Sequence, residues 1–166
     1  GFTPSQSQSD LRNPNRQVGV GDKYGYNYIL RAETLDAFTQ FKFTFSKVDF
    51  YLAQSFTKTQ YQREGLYRNG LYPTNSFGKS NKYSFENFGF KGGLTYKISG
   101  RQYLSFNGVY ITKAPTLRNV FPNARINDNT TIGLSDENIT SYDASYIVRM
   151  PKFKSRLTAY YANIKN

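Results

Sequence analysis

The stretch FENFGFKGGLTYKI, residues 85–98, decides the fold because its side chains alternate in character. All but one of the apolar residues lie on one face, together with one glycine: Phe88, Phe90, Gly92, Leu94, Tyr96 and Ile98. The opposite face is mostly polar or glycine: Phe85, Asn87, Gly89, Lys91, Gly93, Thr95 and Lys97. Because successive side chains of a strand point to opposite faces, this period of two predicts a β-strand between an apolar and a wet environment.

The same alternation recurs along the chain and predicts an all-β fold. Strands are expected at about residues 24–46, from Val48, at 85–98, around 104–111, at 141–150 and from about Lys154. Short turns near Lys47 and at residues 99–101 alternate with long polar loops at about 63–83 and 114–139. The pattern therefore predicts an antiparallel up-and-down meander of about six strands, preceded by an irregular loop or tail over residues 1–23.

Short turns at one end of the strands and long loops at the other are typical of outer-membrane barrels. A membrane barrel needs about eight strands to close, so about six strands would form only part of a larger barrel. A mean hydropathy of −0.65 is compatible with this interpretation, because only every second residue of such a strand needs to be apolar. The sequence contains no apolar run of the roughly 18 residues that a membrane-spanning helix needs.

Composition excludes several kinds of chemistry. The 166 residues include neither Cys nor His, which rules out disulfides, thiolate metal sites and catalysis by these side chains. The adjacent Asp136 and Glu137 would face opposite sides of a strand, so we expect no enzymatic activity. The formal charge of +11 comes from dispersed basic residues, whereas a nucleic-acid interface would concentrate them. We expect no nucleic-acid partner and no cofactor.

The segment REGLYRNGLYPTNSFGKSNKYSFENFGFKGGLTYKISGRQYLSFNGVYITKAPTLRNVF, residues 63–121, resembles the later barrel strands of TonB-dependent outer-membrane receptors, particularly those of Bacteroidetes. RMPKFKSRLTAYYANIKN, residues 149–166, resembles one of their strand-turn-strand units. The resemblance covers about residues 24–166 and is most specific at Gly92–Ile98. It implies a piece of a 22-stranded barrel in the cell outer membrane that binds and imports a scarce nutrient such as a siderophore, corrinoid, glycan or peptide.

Several features of that family are missing from this sequence. They are the plug, the TonB box, the leader and the terminal aromatic strand, so we expect an internal fragment of the C-terminal part of the barrel. Coupling to the TonB system would run through these missing regions. The resemblance also implies lipid and lipopolysaccharide contacts, and a surface lipoprotein is a further candidate partner.

Two sets of residues are the candidate sites. Loop cations could attract an anionic solute, or be solvated or touch lipopolysaccharide phosphates: Arg63, Arg68, Lys79, Lys82, Arg118 and Arg125. Aromatic residues near strand ends could form two girdles at the membrane interfaces, pack within the sheet or stack on a ligand: Phe45, Tyr61, Tyr83, Phe85, Tyr96, Tyr103, Tyr110, Tyr142 and Phe153.

Alternatives to a receptor remain open. Residues 127–129 and Asp136 carry oxygen ligands for calcium, but they match no EF-hand spacing and are typical of Asx turns, so no metal site is predicted. A passive porin would show the same strand alternation without a plug. A soluble β-barrel or sandwich that binds a ligand would turn its apolar face inward to a core.

Overall fold

The computed structural model describes residues 1–165, and these form seven strands and one short helix. The strands are β1 (Tyr28–Thr44), β2 (Val48–Gly65), β3 (Gly78–Lys79), β4 (Tyr83–Lys97), β5 (Gln102–Lys113), β6 (Glu137–Arg149) and β7 (Lys154–Lys165). The helix α1 spans Leu117–Val120. Its N-cap is Thr116, whose hydroxyl accepts a hydrogen bond from the backbone N–H of Asn119.

The strands form a single sheet in the order β1-β2-β4-β5-β6-β7, with β3 paired to β2. Connections alternate between short ones, at residues 45–47, 98–101 and 150–153, and longer ones. The predicted all-β, antiparallel, meander-like arrangement is confirmed. Among the residues described, there is no helix long and apolar enough to cross a membrane.

Several strand boundaries differ from the prediction. β1 begins at Tyr28 rather than at Tyr24, because Gly25 has a φ of 78° and the N–H of Tyr26 bonds to the carbonyl of Tyr24 in a turn. The predicted loop 63–83 includes the end of β2 and all of β3, where Glu64 pairs with Lys79. The predicted loop 114–139 contains α1 and the start of β6 at Glu137. Asn166, in the last predicted strand, lies outside the described residues.

The chain divides into two compact units. The loop unit comprises Gly1–Thr34, Thr59–Phe85 and Pro115–Leu134. The strand unit comprises Leu35–Lys58, Glu86–Ala114 and the described residues from Ser135 onward.

The loop unit has its own small core. Val120, Phe121 and Ala124 are buried, and half-buried side chains pack around them: Tyr28, Leu30, Tyr61, Tyr83, Phe85, Leu117 and Leu134. The ring of Tyr83 meets that of Phe121 edge-on, with 5.6 Å between ring centroids. Long polar connections thus become ordered because a few apolar residues within them share one cluster.

Residues 1–23, expected to be an irregular loop or tail, contain turns and attach to the connection after β2. The N–H of Leu11 donates to the carbonyl of Arg68 at 2.7 Å, and the N–H of Gly70 donates to the carbonyl of Gln8 at 2.9 Å. A Cβ added at Gly70 would overlap the Ser5 carbonyl oxygen. Gly70 therefore permits the close approach of the two backbones.

Register defines two faces of the strand unit. Phe90 pairs with Tyr110, Leu94 with Phe106, and Tyr96 with Leu104. Directly paired residues share a face, so these side chains belong to one surface, the apolar face. Its further members on β6 and β7 include Tyr142, Tyr146 and Leu157. The polar face carries the alternate residues, among them Lys91, Thr95, Asn107, Asp143 and Ser145.

Candidate functional site

The apolar face of the strand unit is open to its surroundings. Phe90 is 52% exposed, Leu94 41% and Tyr146 39%, and Val148 is only partly buried. A water-soluble sheet normally turns such a face toward a core. These four side chains are not sealed in a dry centre of the described residues, and exposed apolar surface of this extent marks an interaction site.

The polar face is the more buried of the two. Asn87 is 3% exposed and Ser145 3%, although their neighbours Phe88 and Tyr146 on the apolar face are exposed. The side-chain amide of Asn107 donates to Asp143 at 2.9 Å, and the Tyr51 hydroxyl donates to the Asn107 Oδ1 at 3.3 Å. In the strand unit, polar groups on one face therefore bond to one another, while aromatic and aliphatic groups on the other face are exposed.

Gly93 makes room for part of this polar network. A Cβ at Gly93 would overlap both the Tyr51 ring and the Asn107 Oδ1, so the ring lies directly over the glycine backbone. A glycine in a strand commonly marks such a close approach. A second polar contact joins Lys97 to Asp49, with 2.7 Å between Nζ and Oδ1.

The aromatic residues named from the sequence divide into two groups. Phe45, Tyr96, Tyr110, Tyr142 and Phe153 are exposed in the strand unit, as membrane contact would require. Tyr142 nevertheless lies near the middle of β6, where it pairs with Gly108, and so differs from its predicted place at a strand end.

The other aromatic residues have local partners. Tyr61, Tyr83 and Phe85 belong to the cluster around Phe121 in the loop unit. The long connections supply the apolar partners that these rings pack against. Tyr103 donates from its hydroxyl to the Gly100 carbonyl at 2.9 Å, and the Arg149 guanidinium lies over its ring at 5.2 Å.

Arg63 organises the loop unit and is 2% exposed. Its Nε donates to the Ala124 carbonyl at 2.7 Å, and its Nη1 donates to the Ser76 carbonyl at 3.0 Å. Its guanidinium carbon lies 5.9 Å from the centre of the Tyr28 ring. Arg63 thus joins the connection after β2 to the connection after α1, whereas the sequence placed it in an external loop as a candidate ligand contact. Its backbone carbonyl accepts from the Ser80 N–H at 2.8 Å, and its backbone N–H donates to the Ser80 hydroxyl at 3.0 Å.

Electrostatics around Arg63 reflect its burial. Desolvation lowers the pKa of the Arg63 guanidinium, and the negative charge of Asp128 acts in the opposite direction. The group remains charged at neutral pH because arginine ordinarily titrates far above it. Burial likewise raises the pKa of the Tyr61 phenol.

The remaining loop cations occupy different environments. Arg68 lies over the Phe77 ring at 5.5 Å, and Arg12 lies over the same ring at 4.4 Å. Lys82 is 3.7 Å from the carboxylate of Glu33, and Lys79 is exposed in β3. The structure therefore does not bring the six predicted cations into one site.

Two of those cations do share a pocket. Arg118 and Arg125 line a cavity of about 690 Å³ in the loop unit, together with Tyr28, Leu30, Leu117, Phe121, Pro122, Asn123, Ala124 and Ile126. The Arg125 guanidinium also lies 5.3 Å from the centre of the Tyr26 ring. Sequence reasoning missed the aromatic members, because Tyr28 lies inside a predicted strand and Phe121 inside a predicted loop, without a local signal that brings them together.

The Asn-rich segment 127–129 forms a turn that side-chain hydrogen bonds stabilise. The Asn127 Oδ1 accepts from the Asn129 N–H at 3.1 Å, and Asn129 accepts from the Asn75 amide at 2.6 Å. The first of these contacts is that of an Asx turn, and the second joins the segment to the connection after β2.

Comparisons with family models, with curated proteins and with solved structures find no match to this chain.

Proposed function

We propose that this chain is part of the barrel wall of a TonB-dependent outer-membrane receptor that imports a scarce nutrient. The strands of the strand unit would cross the bilayer with their apolar face on lipid and their polar face on the aqueous lumen. The loop unit would carry external connections that meet the solute. The parent protein would supply the remaining strands, the plug and the contact with TonB.

The exposed apolar face is the observation that carries this proposal. Residues such as Phe90 at 52% and Leu94 at 41% are exposed, while the Tyr51, Asn107 and Asp143 side chains bond to one another on the other face. In lipid, apolar side chains must be outside and hydrogen-bonded polar groups inside, which is the reverse of the order in water. The amino-acid resemblance to receptor strands adds the family and the nutrient-import role.

Adjacent cysteines on opposite faces provide the test. The chain has no cysteine, so the variants F90C and K91C each introduce a single thiol into it. The complete protein would be tested in membranes of the producing cell with a charged, membrane-impermeant maleimide. We expect K91C to be labelled and F90C to be labelled only after denaturation. L94C and T95C form a second matched pair.

Two results would contradict the membrane proposal. One is recovery of the protein in the soluble fraction after ultracentrifugation. The other is labelling of F90C at the same rate as K91C in intact membranes. The soluble β-sandwich alternative predicts the first result, because its apolar face would be closed into a core.

Energy coupling distinguishes a receptor from a passive porin. A TonB-dependent receptor stops importing its solute when TonB is deleted from the producing cell, whereas a porin continues to conduct. Unchanged uptake without TonB would therefore refute the receptor assignment while leaving the membrane orientation intact.

A further inference from the structure

The pocket of the loop unit combines an apolar floor with two cations at its wall. Leu30, Leu117 and Phe121 contribute the floor, and Arg118 and Arg125 contribute guanidinium groups. Its volume of about 690 Å³ falls within the range of small-molecule sites, which is about 300–1,000 Å³. Phe121 is 2% exposed and belongs to the buried cluster, so the floor is fixed by packing.

The two guanidinium groups carry positive charge without a compensating partner. Within residues 1–165, neither Arg118 nor Arg125 forms an ion pair or a side-chain hydrogen bond. No described residue lining the pocket is Asp or Glu. Two uncompensated like charges at one cavity favour binding of an anion, and the planar arginine fork matches the two oxygens of a carboxylate.

Other charged groups nearby are already engaged. Arg63 lies behind the pocket wall and donates to the carbonyl of Ala124, which lines the pocket. The negative charge of Asp128 favours the charged form of the Arg63 guanidinium. Arg63 is therefore a positioning residue that fixes the pocket wall, and the free charges are those of Arg118 and Arg125.

We propose that this pocket binds a small molecule with a carboxylate head and an apolar aryl or alkyl body. The head would bond to Arg118 and Arg125, and the body would rest on Leu30, Leu117 and Phe121. This inference rests on the proposed receptor function to the extent that it names the class of solute that the loop unit captures. An inorganic anion alone would leave the apolar floor unused.

Titration calorimetry on the complete protein in detergent tests the pocket. The probe is 2-naphthoate, and 2-naphthamide is the neutral compound with the same body. We expect saturable naphthoate binding that weakens at least about tenfold in the R118Q/R125Q double variant, because the charge-assisted bonds are lost. Naphthamide should bind at least about tenfold more weakly than naphthoate and should be insensitive to the double substitution.

Lys152 supplies the matched control, since it is exposed in the connection between β6 and β7 and does not line the pocket. K152Q removes one cation and should leave naphthoate binding unchanged. Equal binding of naphthoate and naphthamide to the wild type would overturn the proposal, as would unchanged naphthoate binding in the double variant. Displacement of naphthoate by inorganic phosphate at equal concentration would overturn the requirement for an apolar body.

The titration tests the pocket and the cysteine-labelling experiment tests the membrane orientation, so either proposal can be refuted without the other. A soluble protein that binds naphthoate through Arg118 and Arg125 would refute the receptor but retain the pocket. A membrane-inserted protein that ignores naphthoate would refute the pocket alone.

Discussion

Replacing Arg63 with methionine should open the loop unit. The R63M variant keeps an unbranched side chain of similar length but removes every donor. The carbonyls of Ser76 and Ala124, which accept from Arg63 at 3.0 and 2.7 Å, would lose these partners in a place where Arg63 is 2% exposed. The expected effect is therefore local unfolding of the connections after β2 and after α1.

The expected loss of stability in R63M follows from the two hydrogen bonds that the charged guanidinium donates. Each is worth about 1.5–3 kcal/mol, so their loss sums to about 3–6 kcal/mol. Methionine avoids the desolvation cost of a buried guanidinium, which favours the lower end of that range. A local destabilisation of about 3 kcal/mol corresponds to a roughly 100-fold larger open population.

Limited chymotrypsin digestion measures the population of the open loop unit. Tyr67, Leu71 and Phe77 lie in the connection after β2 and provide cleavage sites that the substitution leaves unchanged. When opening and closing are fast relative to cleavage, the cleavage rate follows the open population. We expect the cleavage rate in this connection to rise about 100-fold. The increase ends when the loop unit is fully open, so its largest value depends on the stability of that unit.

Arg68 provides the control for R63M. It is an exposed arginine five residues further along, and its guanidinium lies over the Phe77 ring without a buried carbonyl partner among the residues described. R68M should change cleavage by no more than a few-fold. Equal cleavage rates for R63M and the wild type would refute the assignment of Arg63 as the residue that joins the two connections.

Three further substitutions test packing, each with a control. G93A should lower the free energy of unfolding in urea by about 1–3 kcal/mol because its Cβ would overlap Tyr51, whereas G92A, whose Cβ would meet Leu52 at 3.4 Å, should be nearly neutral. G70A should speed proteolysis within residues 1–23 by displacing Ser5, and G19A, whose Cβ would meet only the Asp22 Oδ2 at an ordinary contact distance of 3.7 Å, should not. F121A should destabilise the loop unit by about 3–5 kcal/mol in hydrogen exchange, whereas I132A, at a side chain 98% exposed, should have little effect. Wild-type stability of G93A or F121A, or a wild-type rate of proteolysis in G70A, would contradict the packing contact that the substitution is designed to disturb.

The sequence predicted the sheet because its signal is local. Alternation at residues 85–98 needs only the pleat of one strand, and β4 spans Tyr83–Lys97 in the structure. The face assignment follows from the same period, since Phe90 and Leu94 are exposed together and Asn87 is buried on the other side. The predicted positions of the strand ends were less accurate, because turns such as that at Gly25 depend on backbone conformation, which side-chain alternation does not indicate.

The loop unit could not be predicted because its contacts are distant in sequence. Glu64 pairs with Lys79 across 15 positions, and this pairing converts predicted loop into strand. The bond from Arg63 to Ala124 crosses 61 positions, and nothing in the local sequence distinguishes Arg63 from the exposed Arg68. The pocket depends on α1, whose Thr116 cap and buried Val120 bring Leu117 and Arg118 into place. Arginine spacing alone contains no information on which guanidinium groups remain free.

The proposed lipid contact imposes a further requirement on the edges of the sheet. Within the described residues, β1 and β7 each pair with one long neighbouring strand, which leaves one side of each backbone without a sheet partner. Water can satisfy such groups, but hydrocarbon cannot, and each unsatisfied N–H or C=O costs several kcal/mol in lipid. An apolar face on lipid therefore demands that other strands pair with β1 and β7. Under the proposed function, a closed barrel would meet both requirements, because lipid would cover the apolar face and further strands would pair with the two edges.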